Sequence, residues 1–336
     1  MATADPPLRA GRLRRLPPVR ARLAAWTLRR WLAIGAVLVV VAIVGGLVGY
    51  NVLLRIQHFT TLEQVPAGST LPVPATRPVI LIVFENKSDK DIIGSAEAPY
   101  LNGLIARGAI GTDYQAVAHP SQPNYLALFS GSPQGITDDD VHDVSAPNLA
   151  DQIEAAGKTW RVFAENLPAS GCFTGATAQG GPDGVGEYVR KHNAAISFTS
   201  ISGSPARCAN IRPLSEFTHD AADFIWVVPN MCHVMHDCAI ADGDTWLKGF
   251  AGRILDSPAF GSGGTGVLYI TFDEGADKSR SNEIVTLALG PAIRPGFRSD
   301  VAHSHYSLVR TIETGLGLPC LADACTANTL GEMFRP

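Results

Sequence analysis

Trp31–Leu54 is a run of 24 residues without a charge, bounded by Arg29-Arg30 on one side and Arg55 on the other. About 20 apolar residues cross a bilayer core as a helix, whereas a secretory signal has an apolar region of roughly 7–15 residues. The pattern therefore predicts a transmembrane helix at 31–54. The arginine-rich residues 1–30 would form a cytoplasmic tail, and the rest would lie outside the cell membrane. Small residues at Pro66-Ala67-Gly68-Ser69 keep a cleaved, secreted form as the alternative. Residues 55–77 contain Pro66, Gly68, Pro72 and Pro74 with little periodicity and read as a stalk.

From residue 78 to 336 the pattern changes to short apolar runs alternating with helical periods. This points to an α/β fold, a three-layer α/β/α sandwich with a mainly parallel sheet. Val79–Phe84 is uninterrupted and β-branched, as a strand buried on both faces should be. Further strands are expected at Ala116–Ala118, Thr159–Phe163, Phe224–Val228, Val267–Phe272 and Ile284–Leu289. Helices are expected near 97–107, at Pro123–Phe129 with Gly131 as terminator, at Pro147–Ala156, and at Ser307–Leu316. The weakly periodic stretch 172–215 reads as an insertion or lid.

Apolar residues make up 46% of the 336, which permits a sizeable core. The net charge of −4 hides an asymmetry, because residues 1–30 carry eight arginines and one acid, +7, so the remainder carries −11. An acidic surface of that size is a poor partner for nucleic acid, whose binding rests on neutralising phosphates. All six cysteines follow the apolar segment, and an even number outside the cell suggests disulfides. Proximity pairs Cys232 with Cys238 and Cys320 with Cys325, leaving Cys172 with Cys208.

Two apolar strands end in Phe84-Glu85-Asn86 and Phe272-Asp273-Glu274. If these strands run parallel, three carboxylates and an amide oxygen share the rim where open α/β sheets bind ligands. Such groups repel one another unless a cation neutralises them, and hard oxygen donors suit Mg²⁺, Ca²⁺ or Mn²⁺. The alternative is that they are solvated turn residues. Ser121 in His119-Pro-Ser-Gln-Pro-Asn-Tyr125 stands before a helix that Pro123 is placed to start, so helix amides would face anything bound to its hydroxyl. Asn124 is a candidate donor to a phosphate oxygen. A plain helix cap is the other reading of Ser121. In Pro229–Cys238, a zinc site from Cys232, His233, His236 and Cys238 competes with a disulfide loop that holds His236 and Asp237 over the rim. His236 and His305 are candidate proton donors or phosphate ligands.

These segments resemble, in order over about 78–335, the bacterial phosphoesterase family of acid phosphatases and phospholipases C within the alkaline-phosphatase superfamily. The segments are Glu85-Asn-Lys-Ser88, His119–Tyr125, Pro229–Cys238, Phe272-Asp-Glu274 and His305–Glu313. The nearest likeness is to compact exported acid phosphatases, including phosphatidylinositol phosphatase-like enzymes. The resemblance implies one divalent cation held by Glu85, Asn86, Asp273 and Glu274, with Ser121 as nucleophile and His236 or His305 as proton donor. It places Lys87, His119, Asn124 and Asp237 around the substrate phosphate. Val234 and Ala194 stand where the family often has Asp and Pro, which puts specificity more in question than catalysis.

The expected activity is hydrolysis of a phosphate monoester, on a phosphorylated small molecule or a phosphoinositide. Two rivals stand beside it. One is a phospholipase C-type diesterase, which the acidic exterior disfavours at a lipid surface; the other is a decayed site that only binds a phosphorylated ligand.

Overall fold

The computed structural model describes residues 71–168, 172–180, 185–276 and 282–336. The expected tail, membrane helix and most of the stalk lie outside them. Among the described residues no helix is long and apolar enough to cross a membrane.

The six residues of strand β1 (Val79–Phe84) are buried at every position. An apolar run with no polar alternation has no face to offer water, so both sides of this strand must be covered. It lies at the middle of an eight-stranded sheet. The other strands are β2 (Ala109–Gly111), β3 (Trp160–Ala164), β4 (Ile211–Pro213), β5 (Phe224–Val228), β6 (Val267–Phe272), β7 (Thr286–Leu289) and β8 (Phe297–Ser299). Their order across the sheet is β8-β2-β7-β6-β1-β5-β3-β4. Strand β1 pairs in parallel with β6 on one side and β5 on the other, and β3 and β4 continue that direction. Only β7 runs against its neighbours. The mainly parallel sheet is therefore present, with one reversed strand.

Five described helices of seven residues or more accompany the sheet: α1 (Pro99–Arg107), α2 (Ser121–Ser130), α3 (Leu149–Ala155), α4 (Ile240–Leu255) and α5 (His305–Leu316). Helix α3 opens on an Asn148–Asp151 capping box, in which each side chain satisfies the other residue's backbone N–H. Helices α2 and α5 pack together, as do α1 and α4. Helix α2 ends on Gly131 in the left-handed region, φ 69°. A Cβ there would come within 2.4 Å of the Leu321 carbonyl oxygen, so only glycine fits this stop.

Several expectations change. Ala116–Ala118 is not a strand, because the Val117 and Ala118 amides bond to the Asn124 side chain rather than to a neighbouring strand. The pairing occurs earlier, where Tyr114–Gln115 lies parallel to His303–Ser304. The stretch 172–215 is not a separate lid. Its last part is the edge strand β4, and residues 194–197 are buried. Disulfides join Cys172–Cys208, Cys232–Cys238 and Cys320–Cys325.

Helix α5 buries Glu313 completely, 3.8 Å from the Arg310 guanidinium. Burial pushes its carboxyl up to about 8, against the opposing Leu321 amide and Arg310 charge. Below the ordinary carboxylate pKa both folded and unfolded chains hold this proton. Between about 4.5 and 8 only the folded chain keeps it, so stability falls as pH rises through that window. Glu313→Gln is expected to stabilise the protein little at pH 4 and on the order of 2 kcal/mol at pH 7. Thermal melts of both proteins at the two pH values check this, and an equal shift at both would refute it.

Candidate active site

Register alone brings the acidic residues together. Phe84 and Phe272 are paired at the ends of β1 and β6, so Glu85 and Asp273-Glu274 leave adjacent parallel strands side by side at the carboxyl rim. Asn86 follows with φ 52°, a left-handed turn that asparagine tolerates better than most residues. Its backbone N–H donates to Asp273 Oδ1 at 2.9 Å, and the Glu274 N–H donates to the same oxygen at 2.6 Å. All three carboxylates are buried.

Ser121 is the first residue of α2, two positions ahead of the expected start at Pro123. Its hydroxyl is buried and donates to Glu85 Oε1 at 2.6 Å, with Glu274 Oε1 at 3.2 Å. The serine and the rim acids are thus one cluster. His119 Nδ1 lies against Glu274 Oε2.

Burial works against the Glu85 charge, but His192 first, then Lys191 and the Ser121 hydroxyl, overcome it and hold the carboxyl below its usual range. His192 Nε2 lies 2.5 Å from Glu85 Oε2, and its ring stacks on Tyr125 at 4.7 Å. Lys191 Nζ is 3.2 Å from Glu85 Oε1 and 3.0 Å from Asp139 Oδ2. Asp273 goes the other way. Burial, then the charges of Glu85 and Glu274, push it well above the carboxylate range. Its Oδ2 is buried without a hydrogen-bond partner. An oxygen-only donor set with an orphaned carboxylate oxygen, crowded by two further acids, fits a hard divalent cation. Among the described residues no group of three His, Cys, Asp or Glu side chains forms a ready-made cage.

Three expected roles are revised. The Asn124 side chain is fully buried. Its oxygen accepts from the Val117 and Ala118 amides at 3.0 Å, and its nitrogen donates to the Ala118 and Pro120 carbonyls. No donor is left for phosphate; Asn124 instead shapes the loop that presents Ser121. His305 is fully buried, and its pKa is pushed down to about 4 by that burial. Its Nε2 is 2.7 Å from the Asp273 carbonyl and its Nδ1 is 3.3 Å from the Tyr114 hydroxyl. With both nitrogens engaged it holds the Asp273 backbone and is not a proton donor. The Gln122 amide at the start of α2 is not open to a ligand as expected, because Asp139 Oδ1 accepts from it at 2.9 Å.

The Pro229–Cys238 loop meets the rim through its backbone. Glu85 N–H donates to the Val234 carbonyl at 2.9 Å and Lys87 Nζ to the Met235 carbonyl at 2.8 Å. Lys87 is half-buried, which lowers its pKa against the pull of Asp91, Glu85 and Asp273. The loop packs tightly on α4, where a Cβ at Gly243 would sit 2.8 Å from the His233 carbonyl oxygen. His236 and Asp237 are exposed and bond to each other at 2.6 Å. Neither bonds to the Ser121 cluster among the described residues. Cys232 and Cys238 are disulfide-bonded, which removes the zinc reading.

Lys191 and Asp139 were not anticipated, and His192 was read only as part of the His192-Asn193-Ala194 segment at the substrate entrance. Their signal was an opposed pair of charge triplets, Asp138-Asp139-Asp140 and Arg190-Lys191-His192, which only the fold brings together.

A serine at a helix start against carboxylates on two adjacent parallel strands defines an α/β hydrolytic centre, and the fold agrees with that class. A protein of the alkaline phosphatase superfamily from Vibrio parahaemolyticus superposes with a TM-score of 0.54 at 12% identity, over 83% of this chain and 77% of that one. The lipoteichoic acid synthase LtaP from Listeria monocytogenes gives 0.54 at 10% identity, over 81% and 82%. The Phosphoesterase family model matches residues 94–319. The chain is 35% identical over 271 residues to the phosphatidylinositol-3-phosphatase of Mycobacterium tuberculosis, covering 80% of this chain and 85% of that one. It is 31% identical over 238 residues to an acid phosphatase of Aspergillus fumigatus, covering 68% of this chain and 53% of that longer relative. The chain belongs to the phosphoesterase family.

Asn124→Ala would strand the buried Val117 amide and the part-buried Ala118 amide, at about 1–3 kcal/mol for an unsatisfied buried group. It is expected to lower the melting temperature and reduce kcat by about tenfold or more, with little change in phosphate inhibition. A direct phosphate ligand would instead weaken phosphate inhibition and leave the melting temperature unchanged. Melting curves and phosphate inhibition constants distinguish the two.

Proposed function

We propose that the protein hydrolyses phosphate monoesters through a phosphoserine formed at Ser121, in a three-layer α/β/α domain spanning about 78–336. The observation that carries this reading is the buried Ser121 hydroxyl donating to Glu85 at 2.6 Å, with Asp273 and Glu274 beside it. A cap whose work is to finish a helix has no reason to sit among three buried acids.

Glu85, Asn86, Asp273 and Glu274 would hold one divalent cation, Mg²⁺, Ca²⁺ or Mn²⁺, which when bound supplies the charge that acidifies the Ser121 hydroxyl and screens the phosphoryl oxygens. The chain's own groups do the rest. Glu85 Oε1 accepts the hydroxyl hydrogen bond and fixes the direction of the serine oxygen. His305 and the Asn86 amide keep Asp273 in place. The serine hydroxyl loses its proton to water and its oxygen bonds to phosphorus as the bond to the alcohol breaks. His236, whose side chain is 38% exposed, protonates the leaving oxygen. Water then cleaves the phosphoserine and releases phosphate.

The substrate is a phosphorylated small molecule or a phosphoinositide, as the names of the mycobacterial and fungal relatives suggest. We place the domain outside the cell membrane, on a 55–77 stalk behind an anchor at 31–54 with residues 1–30 in the cytoplasm. The charge pattern of the sequence and the three disulfides support that placement.

Ser121→Ala is expected to lower kcat on p-nitrophenyl phosphate by about a thousandfold or more while the protein remains folded. The wild type should favour this monoester over bis(p-nitrophenyl) phosphate in kcat/KM. Retained turnover in Ser121→Ala would end the covalent mechanism, and preference for the diester would assign the protein to the phospholipase C side of its family.

A further inference from the structure

Two donors converge on one oxygen of Glu85. The Ser121 hydroxyl approaches Oε1 at 2.6 Å and the Lys191 ammonium at 3.2 Å. The nucleophile and a lysine are therefore neighbours across a single atom, and a phosphoryl group attached to the serine would carry its free oxygens into the reach of that ammonium. On its other side Lys191 is held by Asp139 Oδ2 at 3.0 Å, and Asp139 Oδ1 takes the Gln122 amide at 2.9 Å.

A carboxylate thus spans an ammonium and a helix-start amide, the kind of donor pair that two oxygens of a phosphate would use. A cavity of about 210 Å³ opens beside them, lined in part by Gln122, Asp139 and Lys191. The Asp139 side chain is 35% exposed, against 18% for Lys191. The aspartate is therefore the partner that returns to water at less cost.

Building on the phosphoserine reading above, we propose that Lys191, with the Gln122 amide, binds the phosphoryl group of the substrate. In this proposal Asp139 is a built-in stand-in anion that occupies the donors until phosphate displaces it. No bond is made or broken in the exchange: one oxyanion replaces another on the same two N–H groups. Asp139 then acts as a competitor tethered to its own site, setting how much phosphate is needed for occupancy without entering the chemistry.

The test uses the full chain with its divalent metal and reads binding of inorganic phosphate, by competitive inhibition and by titration calorimetry, together with KM for p-nitrophenyl phosphate. Asp139→Asn keeps an acceptor for the Gln122 amide and removes the competing charge. It should tighten phosphate binding and lower KM by about fivefold. Lys191→Met should weaken phosphate binding and raise KM by about tenfold or more, and Lys191→Arg should restore part of the loss. In the double variant the gain from Asp139→Asn should vanish, because its beneficiary is gone.

Unchanged phosphate affinity in folded Lys191→Met would overturn the proposal. So would weaker phosphate binding in Asp139→Asn, the result expected if Asp139 only caps the helix. A change in metal affinity of Lys191→Met with phosphate affinity intact would show that the lysine merely neutralises Glu85, which also overturns it. These readings are independent of the nucleophile. Calorimetry in Ser121→Ala reports phosphate binding without turnover, whereas full activity of Ser121→Ala would sink the phosphoserine reading and leave the binding result standing.

Discussion

Three buried carboxylates meeting at one hydroxyl form an arrangement that a folded chain resists. Each carboxylate loses hydration, and Glu85 and Glu274 raise the cost of ionising Asp273. The protein accommodates the cluster unevenly. His192 and Lys191 stabilise the charge of Glu85, whereas Asp273 has backbone amides on one oxygen and, among the described residues, no hydrogen-bond partner on the other. That imbalance separates a strongly ionised group from one that resists ionisation within the same small volume. The sheet makes this possible, because β1 and β6 leave the acids no freedom to move apart once Phe84 and Phe272 are in register.

What surrounds the cluster divides into groups that hold and groups that remain free. Asn124, His305 and the Asn86 amide bond to backbone or to the acids themselves, so their contribution is rigidity. The His236 and Asp237 side chains stand at the surface, bonded to each other. Rigid support beneath and exposed polar groups above is the division expected when reacting atoms need fixed positions and the leaving group needs access to water.

Much of this was legible in the chain. Phe224–Val228 and Val267–Phe272 were readable to the residue, because continuous burial leaves an apolar run with abrupt ends. The acids at the strand ends were readable for the same reason, as the first polar residues after such a run. Strands β2, β4 and β8 were not, since three residues carry no period and owe their conformation to the neighbour they pair with. Helix α4 was hidden by Gly243, Gly249 and Gly252, which weaken its local signal while Leu247, Phe250, Ala251 and Ile254 still face the core. At the site, the roles of Asn124 and His305 were misread because sequence shows which groups a side chain offers but not which of them the backbone has already taken. Lys191 was missed, and the contact of His192 with Glu85 was not foreseen, because both rest on a long-range approach to that residue.

Both basic side chains that touch Glu85 belong to the stretch between Cys172 and Cys208, which the chain closes into a ring by a covalent bond. The sheet and its acids lie mostly outside that ring. Reducing the bond would therefore loosen the groups that balance Glu85 before it loosened the scaffold, so a covalent link remote from the acids governs the electrostatics at their centre.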